Sequence, residues 1–113
     1  LTADVAALTC ISNDFGYDEV FARQLEGLGK ANDLLIVLST SGNSENVIRC
    51  INKAKELKIH TIGLLGKGGG RSLNLTEIEI VVNSQSTARI QEMHKFIGHN
   101  LCQIVERELG YMN

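Results

Sequence analysis

The sequence predicts a three-layer α/β domain built on a parallel sheet. Short apolar runs typical of strands alternate along the chain with segments whose apolar residues recur at helical spacing. The first run, DLLIVL at residues 33–38, is continuously apolar, as expected for a parallel strand that is buried on both faces. Strands that alternate with helices favour a doubly wound sheet with right-handed crossovers. We expect one domain over residues 1–113.

The first half of the chain predicts a helix, a strand and a second helix. Apolar residues at helical spacing, followed by glycines, predict a helix over residues 17–28. The strand at 33–38 follows. Residues 44–58 then place their apolar side chains on one face and their charged ones elsewhere, which predicts an amphipathic helix.

The second half predicts two strands and a long helix. HTIGLLG at 60–66 is typical of a strand, KGGGRS at 67–72 of a loop, and EIEIVV at 77–82 of a strand at the sheet edge. Residues 87–109 predict a long amphipathic helix. Its apolar stripe consists of Ile90, Met93, Ile97, Leu101, Ile104 and Val105.

Charge and cysteine content exclude several classes of protein. The 11 basic and 13 acidic residues give a formal charge of −2, so neither nucleic acid nor an anionic membrane is an expected partner. The longest uncharged stretch, residues 34–44, is too short to span a bilayer. Cys10, Cys50 and Cys102 are an odd number within apolar patterns, so we expect reduced, buried thiols and a cytoplasmic protein.

The segment after the first strand, residues 39–44 (STSGNS), is rich in hydroxyl groups, and we call it the hydroxyl loop. It lies where the carboxyl end of a parallel strand meets the start of a helix, the usual ligand position in such sheets. Helix amides, a glycine and four hydroxyls suit a phosphate monoester. The alternative is a simple helix cap, but one cap needs only one hydroxyl.

Nucleotide-binding motifs are not completed. The hydroxyl loop lacks the G-x-x-x-x-G-K-[ST] pattern, and the run Lys67-Gly68-Gly69-Gly70 does not form G-x-G-x-x-G. We expect Gly68–Gly70 to be a flexible connection rather than a second anion site.

Three stretches carry a resemblance to a known family. The hydroxyl loop after a buried strand resembles the sugar-phosphate loop of sugar isomerase (SIS) domains. SNDFGYDEVFARQLEGLG at 12–29 and TARIQEMHKFIGHNLCQIVE at 87–106 are similar to the phosphoheptose isomerase branch. The resemblance implies a flavodoxin/Rossmann-like SIS fold. It also implies an aldose–ketose isomerase that converts sedoheptulose 7-phosphate to D-glycero-D-manno-heptose 7-phosphate for bacterial lipopolysaccharide and other surface polysaccharide.

The resemblance also implies site residues, a metal and an assembly. Asn13 and Asp14 resemble a pair that binds sugar hydroxyls, and Gln91 resembles a glutamine that contacts substrate and zinc. His99 resembles the catalytic, zinc-binding histidine, with one zinc ion per site. A homotetramer with active sites at subunit contacts is implied. The residues that resemble the family's phosphate ligands are Ser39, Thr40, Ser41 and Ser44.

One departure from the family leaves the function open at this stage. Family members carry an N-terminal helical segment with an Asn-Gly-Gly-Ser loop and a His-x-x-x-Glu pair, which these 113 residues do not contain. We therefore expect a C-terminal portion of a longer chain that is inactive alone. The alternatives are a non-catalytic relative that binds the bacterial replication initiator and a regulatory domain that senses a sugar phosphate. Ser41 and His99 favour the enzyme, since the initiator-binding relative lacks both.

The helical wheel separates the two histidines of the last predicted helix. At about 100° per residue, His94 falls within the apolar stripe, whereas His99 falls on the polar side. We expect His94 to be a core or subunit-contact residue. Gln91 and His99 are separated by about 12 Å of helical rise, so two such residues that share a metal are expected to come from different subunits.

Overall fold

The computed structural model describes residues 1–111, which contain four α-helices, two short 3₁₀ helices and three strands. The 3₁₀ helices span Tyr17–Glu19 and Gly70–Ser72. The α-helices and strands, in chain order, are α1 (Val5–Phe15), α2 (Val20–Leu28), β1 (Leu34–Ser39), α3 (Glu45–Glu56), β2 (His60–Gly66), β3 (Ile78–Val82) and α4 (Thr87–Glu108).

The three strands form one parallel sheet in the order β1-β2-β3. Ile36 of β1 pairs with Ile62 of β2, which pairs in turn with Ile78 of β3. The predicted parallel α/β architecture is therefore confirmed, and β3 lies at a sheet edge as its alternating sequence indicates. The register brings the carboxyl ends of β1 and β2 to the same side, where the hydroxyl loop begins.

The core fills the space between one face of the sheet and helices α2 and α3. Ile51 and Ala54 of α3 are fully buried there, and Leu25 of α2 packs against them. Burying one such aliphatic side chain contributes about 1.5–3 kcal/mol. The remaining members of this cluster are Leu35, Val37, Cys50 and Ile59. Helix α3 is thus held by its apolar face, which fixes its N-terminus beside the hydroxyl loop.

Two predictions about burial are wrong. Strand β1 is buried on one face only, because Leu34 and Leu38 are 54% and 56% exposed while Leu35 and Val37 pack inward. No described helix covers the opposite face of this strand, so its continuous apolar run is half solvent-exposed. Only Cys50 of the three cysteines is buried.

The outer helices explain why two cysteines are exposed. Helix α1, which the sequence did not predict, has no buried residue and carries Cys10 on its surface. Helix α4 buries Ile90 and His94 near its start, but its later turns, with Cys102, extend away from the sheet. Within residues 1–111, no helix is long and apolar enough to cross a bilayer.

Candidate functional site

The hydroxyl loop connects the carboxyl end of β1 to the N-terminus of α3, and its turn depends on Gly42. This residue has φ +65°, a left-handed conformation that other residues rarely adopt. A Cβ atom at Gly42 would lie 1.8 Å from the carbonyl oxygen of Gly69. Glycine is therefore needed both for the backbone angle and for the close contact with the following loop.

Two serines of the loop accept hydrogen bonds from its own backbone. Ser39 Oγ accepts from the amide of Gly42 at 3.0 Å, and Ser41 Oγ accepts from the amide of Asn43 at 3.1 Å. A hydroxyl that accepts from an amide still has its own proton to donate. Both side chains are thereby oriented while remaining able to donate to an anion.

At the start of α3 only the third amide, that of Val47, has a side-chain acceptor among the described residues, Asn46 Oδ1 at 2.8 Å. Ser44 occupies the N-cap position, but its side chain makes no capping hydrogen bond. Asn43 Oδ1 instead accepts from the amide of Arg71 at 2.9 Å. The first amides of a helix have no intrahelical acceptor, so the amides of Glu45 and Asn46 are available to a ligand. Capping therefore does not account for the hydroxyl groups of this loop.

The segment 67–73, which we call the glycine loop, packs directly against the hydroxyl loop. Ser72 is fully buried and donates to the carbonyl oxygen of Gly42 through both its amide and its hydroxyl, each at 2.8 Å. A Cβ atom on Gly70 would lie 2.3 Å from the carbonyl oxygen of Ser41. These contacts pack part of the predicted flexible connection, from Gly69 to Ser72, against the hydroxyl loop.

The start of α4 forms the opposite wall of a cleft over the hydroxyl loop. The side chain of Ile90 lies against Gly66 at the end of β2, where a Cβ atom would meet it at 2.6 Å. His94 is 3% exposed, and its Nε2 donates to the carbonyl of Leu65 at 3.0 Å. The cleft has a volume of about 360 Å³. Its polar lining consists of Ser39, Thr40, Ser44, Gln91, His94 and Lys95.

A network of charges surrounds the first turn of α3. Glu45 pairs with Arg49 at 3.1 Å and with Arg71 at 3.0 Å. Hydrogen bonds from Arg49 and then Arg71 lower the pKa of the Glu45 carboxyl from its ordinary value. Arg49 also pairs with Glu19. The Glu45 carboxylate beside the helix N-terminus is thus balanced by two guanidinium groups.

The structure brings some of the predicted site residues together and leaves others apart. Ser39, Thr40, Ser44 and Gln91 line one cleft. Ser41 belongs to the same loop but does not line the cleft. The other residues that lie outside it are Asn13, Asp14 and His99.

Each outlying residue has a definite environment. Asn13 and Asp14 lie exposed at the end of α1, where Asn13 Nδ2 donates to Asp14 Oδ1 at 2.9 Å. Asp14 also accepts from Cys10, and this raises the pKa of that thiol. His99 is exposed on α4, about one turn beyond Lys95. His94 is buried and His99 exposed, as the helical period predicts.

The residues of this chain do not by themselves fit the zinc ion that the resemblance implies. Across residues 1–111, no group of three or more His, Cys, Asp and Glu side chains could hold a metal. Gln91 and His99 lie about 12 Å apart along one helix, too far for joint ligation within one chain. A complete zinc site would need donors from elsewhere.

Three features of the site were not found from the sequence. The predicted site omits Lys95, Ser72 and His94, and the helical period assigns His94 to the core or to a subunit contact. Lys95 could have been found from its four-residue spacing after Gln91, which places both on one face of a helix. No sequence signal identifies Ser72, because its partner Gly42 is distant along the chain.

The sequence model of the SIS domain family matches residues 1–66. This match covers more than half of the chain and includes the whole hydroxyl loop. The chain belongs to the SIS domain family. Within it, phosphoheptose isomerases are close relatives of this SIS domain. A phosphoheptose isomerase of Helicobacter pylori is 50% identical over 113 residues, which cover 100% of this chain and 59% of the relative. That of a Nitratiruptor species is 55% identical over 106 residues, covering 94% and 57%.

Solved structures of phosphoheptose isomerases are similar to this SIS domain. A phosphoheptose isomerase from Francisella tularensis superposes with a TM-score of 0.91 at 39% identity, covering 94% of this chain and 57% of that one. The phosphoheptose isomerase of Neisseria gonorrhoeae gives 0.90 at 41% identity, covering 93% and 59%. This SIS domain thus spans somewhat over half the length of the relatives that it matches.

Proposed function

We propose that this SIS domain is part of an isomerase that converts sedoheptulose 7-phosphate to D-glycero-D-manno-heptose 7-phosphate in the cytoplasm of a bacterium that makes heptose-containing polysaccharide. One observation carries the phosphate part of this proposal. Ser39, Thr40, Ser44 and Gln91 line one cleft at the N-terminus of α3, where the N-cap residue Ser44 makes no capping hydrogen bond with its side chain. Relatives named phosphoheptose isomerase, about 50% identical over the full chain, support the substrate.

The reaction moves a proton between C1 and C2 of the sugar through an enediol. It needs one group that removes the proton from carbon and one that protonates oxygen. We assign one of these roles to His99, because an imidazole can either accept or donate a proton. The other role falls to a carboxylate outside these 113 residues. The hydroxyl loop holds the phosphate at C7, so that binding energy far from the reacting carbons positions them.

The position of His99 supports an assembly in which subunits share the site. Gln91 lines the cleft of its own chain, whereas His99 lies outside it. We therefore propose that His99 completes the site of a neighbouring subunit in a homo-oligomer, namely a tetramer. Phe96 and Val105 of α4 are 61% and 54% exposed, and such apolar side chains suit a subunit contact. A zinc ion at this site would need ligands from outside the described chain, and the proposed proton transfer does not require one.

The test is turnover by the complete protein. Sedoheptulose 7-phosphate is incubated with the enzyme in D₂O and followed by NMR. We expect the aldose phosphate to form with deuterium at C2, because the transferred proton exchanges with solvent in an enediol mechanism. The 113 residues alone are expected to be inactive, since the carboxylate partner is missing. A complete protein that binds the sugar phosphate but never converts it would exclude an isomerase and favour a sensing or initiator-binding relative.

A further inference from the structure

The cleft over the hydroxyl loop contains a cationic side chain, Lys95, to which the proposed function assigns no role in phosphate binding. Lys95 lines it together with Ser39, Thr40 and Ser44, and no Asp or Glu side chain lines it. A bound phosphate monoester is largely dianionic at neutral pH, because its second pKa is about 6. Hydroxyls and amides can donate hydrogen bonds to it but carry no full charge.

Two other cationic groups near the loop are already paired, and Lys67 of the glycine loop does not line the cleft. Arg71 binds Glu45 at 3.0 Å, and Arg49 binds both Glu45 and Glu19. Lys95, in contrast, forms no ion pair with any other residue between 1 and 111. An unpaired ammonium group in a cleft without carboxylates leaves that cleft electropositive.

The backbone of Lys95 is held in place by its neighbours. The adjacent residue, His94, is buried and bonded to the carbonyl of Leu65 at 3.0 Å, and Ile90 packs one turn earlier against Gly66. Gln91 and Lys95 are four residues apart and so lie on the same face of α4, about 6 Å apart along the helix. The first turns of α4 are therefore fixed to the sheet, with these two side chains directed over the hydroxyl loop.

We propose that Lys95 supplies the positive charge that binds the substrate phosphate and so selects phosphorylated sugars. This proposal rests on the phosphate cradle of the proposed function. The ammonium group of Lys95 approaches the phosphate from α4, while the hydroxyl loop and the amides of α3 bind it from the other side. A lysine acts here as a mobile point charge, so arginine can replace it in charge, whereas a neutral side chain of similar length cannot.

The experiment is calorimetric titration of the complete protein with inorganic phosphate. Four proteins are compared: the wild type, Lys95→Met, Lys95→Arg and Lys55→Met. Lys55 is an exposed lysine in the last turn of α3, at the opposite end of that helix from the cleft. We expect Lys95→Met to weaken phosphate binding about tenfold, since charge-assisted hydrogen bonds are the stronger kind. Lys95→Arg should stay within about threefold of the wild type, and Lys55→Met should not differ from it.

Salt provides a second readout that a purely structural role would not change. Raising the NaCl concentration should weaken phosphate binding more steeply in the wild type than in Lys95→Met, because screening acts on the charge that the variant lacks. If Lys95→Met binds phosphate as tightly as the wild type, with the same salt dependence, the role of Lys95 is refuted while the cradle stands. If the wild type binds no phosphate, the cradle is refuted and the role of Lys95 with it.

Discussion

The carbonyl oxygen of Gly42 accepts two hydrogen bonds from Ser72, one from the backbone amide and one from the hydroxyl, each at 2.8 Å. Ser72 is fully buried, so neither bond can be replaced by solvent without a local rearrangement. These two bonds join the glycine loop to the hydroxyl loop. The shape of the candidate phosphate site therefore depends on a loop that does not itself line the cleft.

Replacing Ser72 with alanine should destabilise the protein and weaken substrate binding. The substitution removes one of the two hydrogen bonds to Gly42, at a cost of about 1 kcal/mol in the free energy of unfolding. In steady-state kinetics, KM for the sugar phosphate should rise more than kcat falls, because the reacting end is untouched. Ser84→Ala, in the connection between β3 and α4, is the control: its hydroxyl accepts one solvent-exposed hydrogen bond from the amide of Ser86 at 3.1 Å, so the substitution should cost less than Ser72→Ala. Equal stability of the two variants would contradict the account.

Replacing Gly42 with alanine should disrupt the hydroxyl loop. The new Cβ would lie 1.8 Å from the carbonyl oxygen of Gly69, and the φ of +65° is unfavourable for alanine. We expect a loss of at least about 1–3 kcal/mol in the free energy of unfolding and the loss of phosphate binding. Gly98→Ala is the control, because a Cβ there meets no atom within 4 Å and the residue lies inside α4. Urea denaturation should find Gly98→Ala as stable as the wild type or slightly more so. Normal phosphate affinity in Gly42→Ala would show that the loop is not the cradle.

The ion pairs of Glu45 should contribute to stability in a pH-dependent way. Arg49 and Arg71 hold the pKa of this carboxyl below its ordinary value of 4.5 in the folded protein. The unfolded chain therefore takes up the proton first as the pH falls, and the folded state loses this contribution. The stability difference between the wild type and Glu45→Gln should be constant above about pH 5.5 and shrink as the pH falls below about 4.5.

The measurement is the free energy of unfolding at a series of pH values from 7 to 3. Glu106→Gln serves as the control, since Glu106 is exposed on α4 and pairs with no other described residue. A difference between the wild type and Glu45→Gln that does not change with pH would refute the role of the arginines.

Replacing His99 with alanine should abolish most of the turnover while leaving phosphate affinity unchanged. A positioned acid or base contributes about 10²–10⁴-fold to the rate, so kcat should fall by that factor. His60→Ala is the matched control, because His60 is also exposed but pairs with Glu77 at 2.9 Å, at the start of β2. Thermal melts should show both variants folded. Equal turnover in His99→Ala and the wild type would remove His99 from the mechanism.

The sequence was sufficient for the parallel α/β fold and for the position of the hydroxyl loop between a strand and a helix, because both depend on local patterns. The continuous apolar run of β1 and the glycine ending of the preceding helix are visible in neighbouring residues. Contacts between distant segments were not predictable in this way. The bond from Ser72 to Gly42 joins residues 30 positions apart, and hydrophobic periodicity gives no information about such a pair.

Burial was predicted less well than secondary structure, for a physical reason. An apolar run shows that a strand is suited to burial on both faces, but burial also requires a second layer. In the described chain Leu34 and Leu38 have no such layer over them. Cys10 was likewise expected in the core, yet it lies on α1, a helix that packs only at the periphery.

The most direct test of the phosphate cradle is a crystal structure of the complete protein with sedoheptulose 7-phosphate bound. Ketose and aldose carry the same phosphate at C7, so turnover in the crystal would not blur its position. We predict phosphate oxygens within about 3 Å of the hydroxyls of Thr40 and Ser44 and of the amide of Glu45, at hydrogen-bonding distance. A phosphate bound elsewhere, with this cleft free of it, would contradict the account.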